Sequence, residues 1–112
     1  MVKSSSDRLR GTLDALILKS LAAGPLHGYG ISRWLRDRSA RAVRVEEGTL
    51  YPALYRLERQ GWIEAEWGRS ELGRRARFYR QTAAGARQLE IEIRTFAEFL
   101  EAVAPILLPR PV

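Results

Sequence analysis

Thr49, Tyr51, Tyr55, Arg56 and Arg59 fall on one side of the stretch Val45–Gly61, and Leu50, Leu54 and Leu57 recur at i, i+4, i+7 on the other. Hydroxyls, aromatic rings and guanidiniums backed by a leucine face suit groove binding. A helix fits the major groove, arginine forks match phosphates and guanine edges, and hydroxyls position the backbone. A second group, Arg74, Arg75 and Arg77, flanks Gly73, and strand alternation puts Arg75 and Arg77 on one face. His27 is the sole histidine and there is no cysteine, so thiolate chemistry and a cysteine-based zinc site are excluded. Neither a Ser-His-Asp arrangement nor a phosphate-cradling glycine loop is present. The adjacent acids Glu46 and Glu47 suit the first turn of a helix, where they complement its dipole. These residues predict no enzyme, no metal and no cofactor.

The elements that must position the two cationic groups can be read in order. Leu13, Leu16, Ile17 and Leu21 repeat at helical spacing from Leu9 or Thr12 to Ala23, and Gly24-Pro25 stops that helix. A second amphipathic helix follows the two glycines Gly28 and Gly30, with Ile31, Trp34 and Leu35 inward and Arg33, Arg36 and Arg38 outward. The third begins near Glu47 or Gly48. Pro52 is tolerated in its first turn, and Gly61 suits a left-handed cap at its end. Helices two and three are close enough in sequence for a helix-turn-helix.

Beyond Gly61 the period changes. Trp62–Trp67 and Ala76–Gln81 alternate as strands do, and Gly68–Arg75 between them reads as a flexible hairpin tip. Thr82 caps a last helix in which Ala86, Leu89, Ile93, Phe96, Leu100, Val103 and Leu107 are spaced 3, 4, 3, 4, 3, 4. Pro105 is expected to end or kink this helix before Leu107 takes part. Ile91, Phe99 and Ala102 add apolar surface beside the seam. A helix this apolar calls for a second copy as its mate, through Leu89, Ile93, Phe96, Leu100 and Val103.

At 112 residues and net charge +6 the chain is one basic domain. The charge is uneven: residues 1–82 hold 16 Lys and Arg against 9 Asp and Glu, and residues 83–112 hold 3 against 4. A cationic body with a balanced tail fits a polyanion-binding head joined to an assembly element. The apolar stretch Leu13–Ala23 contains Asp14 and Lys19, unlike a signal peptide, and no run reaches the roughly 18 apolar residues of a membrane span. A soluble, cytoplasmic protein is expected.

Several blocks taken together resemble the PadR-like transcriptional regulators. They are Leu9-Arg10-Gly11-Thr12-Leu13, Gly24-Pro25-Leu26-His27-Gly28-Tyr29, Gly48-Thr49-Leu50-Tyr51-Pro52-Ala53-Leu54, Arg56-Leu57-Glu58, Gly61-Trp62-Ile63, Phe78-Tyr79-Arg80-Gln81-Thr82 and Gly85. The resemblance spans residues 8–104 and implies a winged helix-turn-helix with a single C-terminal dimerisation helix, in a regulator that is usually a repressor. It implies that Thr49, Tyr51 and Arg56 lie on the DNA-facing helix and that Gly73 to Arg77 form the wing. Some relatives bind flat aromatic ligands between subunits against a tryptophan. The matching position here is Phe96, with Phe99 near it, and phenylalanine lacks the indole N–H. Gln81 stands where the family usually has an apolar residue.

The expected fold is mainly α with a small β-hairpin. It comprises a flexible arm (1–8), a winged helix-turn-helix (9–82) and a dimerisation helix (83–108). The expected function is homodimeric, sequence-specific binding of a double-stranded DNA operator through Arg33, Thr49, Tyr51, Tyr55, Arg56, Arg59, Arg74, Arg75 and Arg77. A small aromatic effector is an implied partner, and no membrane is. The alternative is a winged-helix interaction module whose basic face meets an acidic protein.

Overall fold

The computed structural model describes the backbone of residues 5–108 and the side chains of residues 11–108. In chain order the elements are α1 (Ser5–Ser20), β1 (Leu26–His27), α2 (Gly28–Arg38), α3 (Glu47–Arg59), β2 (Ile63–Arg69), β3 (Arg75–Gln81) and α4 (Ala83–Leu107). The fold is a winged helix with a long C-terminal helix. Its core gathers Ile17, Leu18 and Leu21 from α1, Ile31 and Leu35 from α2, and Leu50, Ala53, Leu54 and Leu57 from α3. Ile63, Tyr79 and Leu89 close it. Each of the buried leucines and isoleucines contributes roughly 1.5–3 kcal/mol by leaving water, so α3 is anchored by its leucine face.

Local chemistry sets the ends of the helices. His27 Nδ1 accepts a hydrogen bond from Gly30 N at 2.9 Å and so caps α2. Thr82 caps α4 in the same way, accepting from Gly85 N at 3.0 Å. At the end of α3, Trp62 N donates to Leu57 O and Gly61 N donates to Glu58 O, with Gly61 at φ 76°. That pair of bonds is a Schellman motif, and it needs the left-handed residue that glycine supplies. The α2–α3 connection makes a similar turn without glycine. Ala40 and Arg41 take φ 51° and 69° while Arg41 N donates to Arg36 O at 2.8 Å. Ser39 Oγ supports the turn, donating to Leu35 O and accepting from Val43 N, each at 2.8 Å.

Four features differ from the reading of the sequence. The arm expected over residues 1–8 is helical from Ser5, while its first four residues lie outside the described residues. The hairpin gains a third strand: β1 pairs with β3, Leu26 opposite Tyr79 and His27 opposite Phe78, giving the order β1-β3-β2. A two-residue strand is too short to show alternation. Pro105 does not end α4 before Leu107: the helix runs to Leu107, and Leu108 N donates to Ala104 O at 2.8 Å. Finally, Gln81, noted in the sequence only as a departure from the family's apolar residue, is partly buried and its amide donates to Leu18 O at 2.9 Å.

Candidate nucleic-acid interface

Because the leucines turn inward, the outer face of α3 is left to Gly48, Thr49, Tyr51, Pro52, Tyr55 and Arg59, all exposed. Tyr51 lies against the start of α2, so close that a β-carbon at Gly28 would meet its hydroxyl. Only glycine lets the ring sit there, half in solvent and fixed in direction. Tyr55 is 63 % exposed, and the Arg59 guanidinium stands 5.7 Å from its ring centroid. Cation and aromatic thus stand side by side on the outer line of the helix.

Arg56 differs from the other expected contacts. It follows Ala53 by three residues and Pro52 by four, which places it on the shoulder of α3 and turns it toward α1. Its Nη2 donates to Asp14 Oδ1 at 2.6 Å, and the two side chains are 33 % and 11 % exposed. Its Nε is buried, with no hydrogen-bond partner among the described residues. The expectation of a solvent-facing guanidinium is therefore corrected: a buried acid on a neighbouring helix has drawn it inward. The opposite shoulder carries Glu58, which accepts from Arg77 Nη2 at 2.7 Å. That contact joins α3 to the wing.

In the wing, Arg69 to Arg75 is the last pair of the ladder, and the tip closes with Gly73 N donating to Ser70 O at 2.9 Å. Gly73 has φ 73°, the left-handed conformation this turn demands. Arg74 and Arg75 are exposed, and Arg75 stacks over Trp67 at 4.4 Å. Arg77 is also exposed but is held by Glu58, with its guanidinium 5.9 Å from the Tyr79 ring. Burial raises the Tyr79 phenol above its ordinary value, partly opposed by Arg77. Arg80 turns away to pair with Glu64 at 2.7 Å. Arg33 is exposed on α2, apart from the α3 face in sequence and separated from it by the α2–α3 turn.

On α4 the expected seam divides. Leu89 is only 7 % exposed and belongs to the protomer's own core, which corrects its assignment to a seam. Spacing marked it as apolar without showing that this turn of α4 packs into the protomer's core. Ile93, Phe96 and Leu100 are about half exposed, Phe99 is 40 % exposed and Val103 is partly covered. Two acids that pair with the expected arginines escaped the sequence reading. Asp14 looked like any polar residue on an amphipathic helix, and Glu58 like a surface charge. An acid among Leu13, Ala15, Leu16 and Ile17 was the available signal for the first.

Among the described residues, no group of three or more His, Cys, Asp or Glu could hold a metal ion. No helix there is long and apolar enough to cross a membrane. Comparison with known proteins then places the fold. The model of the transcriptional regulator PadR-like family matches residues 17–91. The transcriptional regulator Rv3488 of Mycobacterium tuberculosis is 39 % identical over 88 residues, covering 78 % of each chain. A transcriptional regulator from Clostridium thermocellum superposes with TM-score 0.81 at 30 % identity, over 90 % of this chain and 98 % of that one. The PadR-like regulator BC4206 of Bacillus cereus superposes with TM-score 0.75 at 28 % identity, over 93 % and 99 %. With a winged helix, an exposed cationic and aromatic face on its third helix and these likenesses, the chain belongs to the PadR-like family of DNA-binding transcriptional regulators, which are not enzymes.

Proposed function

We propose that this regulator is a homodimeric repressor that straddles one DNA operator. Each head would present Thr49, Tyr51, Tyr55 and Arg59 to a major groove. Two such heads read half-sites about one helical turn, roughly 34 Å, apart or a multiple of it. Arg74, Arg75 and Arg77 supply wing contacts to phosphates or the adjacent minor groove, and Arg33 extends the cationic surface on α2. The observation that carries the reading is the division of α3: its leucines are buried while Tyr55 and Arg59 stand coupled in solvent. The mate for the exposed side of α4 is a second α4, meeting Ile93, Phe96, Leu100 and Val103. An aromatic effector would enter between the two copies beside Phe96 and Phe99 and change the angle between heads.

The test is retention of the protein's own promoter fragment, titrated across salt concentrations. Specific binding whose logarithm falls linearly with the logarithm of salt supports the reading, since each phosphate contact contributes about 0.9 to the slope. Absence of DNA binding, with capture of an acidic protein instead, would favour an interaction module.

A further inference from the structure

We infer that Asp14 is a positioning residue for DNA binding: through Arg56 it ties the recognition helix to α1, and Arg56 serves as this tie and makes no phosphate contact. The inference rests on the DNA-binding reading above and names what orients its reading helix.

Three observations carry it. Asp14 is 8 % exposed on α1, and a carboxylate so placed needs a cation, because an ion left alone out of water is strongly disfavoured. The cation comes from α3, 42 positions along the chain, at 2.6 Å. The bond therefore joins two elements that nothing local connects. The Arg56 stem is committed as well, since its Nε is buried. Swinging the guanidinium out to a phosphate would break this bond between α1 and α3 and move a packed side chain.

The location gives the tie its consequence. Helix α1 lies along α4, the element that carries the exposed apolar stripe, and α3 carries the outward tyrosines and Arg59. A charged bond between α1 and a shoulder of α3 fixes how far α3 can roll, and hence where Tyr55 and Arg59 point. Glu58 and Arg77 hold the other shoulder, but their side chains are 31 % and 44 % exposed, so solvent weakens that contact. The Asp14 side is the firmer of the two.

The experiment measures affinity of the full chain for its promoter fragment by fluorescence anisotropy over a range of salt. The proteins are wild type, Asp14→Asn, Arg56→Gln, and the apolar pair Asp14→Leu with Arg56→Met. A buried ion pair exchanged for apolar residues of similar volume usually keeps the fold, so the double variant remains informative even where a single one unfolds. Each single variant is expected to lose about tenfold in affinity, the size of a contact coupling, with the wild-type salt slope retained. The apolar pair is expected to recover most of that loss at the same slope. A slope lower by about 0.9 in both Arg56 variants, with affinity unrestored in the pair, makes Arg56 a phosphate contact and overturns the inference. Unchanged affinity in a folded Asp14→Asn also overturns it. Failure of the DNA-binding reading is told apart by the wild-type protein alone, which would then leave the fragment free at every salt concentration.

Discussion

The two halves of α4 carry one continuous apolar seam in sequence and are opposite in situation. The first half is welded to the head. Thr82 accepts from Gly85 N and donates to Gly61 O at 2.7 Å, Gly85 packs flat on the Trp62 carbonyl, and Leu89 enters the core. From Ile91 onward the same helix leaves Ile93, Phe96, Leu100, Ile106 and Leu107 exposed. One half stabilises the fold, and the other has surface to offer outside the protomer. Residues of the same type should therefore answer to different measurements.

Gly85→Ala should do the most damage to the welded half. Its new β-carbon would collide with the backbone carbonyl of Trp62, which cannot rotate away, so α4 must shift off the sheet. A loss above roughly 3 kcal/mol is expected, the range of severe steric lesions, read by thermal or urea unfolding. Two leucines then separate the halves. Leu89→Ala should cost about 2–4 kcal/mol by leaving a cavity in the core, at any protein concentration. Leu100→Glu should leave the head folded but halve the molar mass seen by light scattering, and should abolish any concentration dependence of the melting temperature. If Leu100→Glu unfolded the head while Leu89→Ala did not, the two halves would have been assigned the wrong way round. Thr82→Ala is the mildest change, about 1 kcal/mol from a lost cap, with Gly61 O also losing its donor.

What could be read from the sequence follows the range of each interaction. Thr82 as a cap and Gly61 as a left-handed stop depend on neighbours a few residues away, so their types alone announced them. The leucine face of α3 was equally plain, because periodicity records which side is buried. Leu89 and Leu100 both sit on one heptad seam, and spacing cannot say that the first enters the core while the second stays about half exposed. Arg56 shows the same limit for charge. Its type marked it as a cation near the DNA face, but its direction is decided by Asp14, far off in sequence and itself covered. The strand Leu26–His27 was invisible because its pairing with Tyr79 and Phe78 is wholly tertiary.

The central claim is that two copies joined along the exposed apolar side of α4 bring two cationic heads onto one duplex. Sedimentation of a labelled operator fragment with increasing protein measures this directly, since it counts chains on each duplex. The account predicts two chains per duplex and no populated complex holding one. A stable complex of a single chain with the duplex, or a duplex that sediments free at protein concentrations where the dimer is formed, would contradict it.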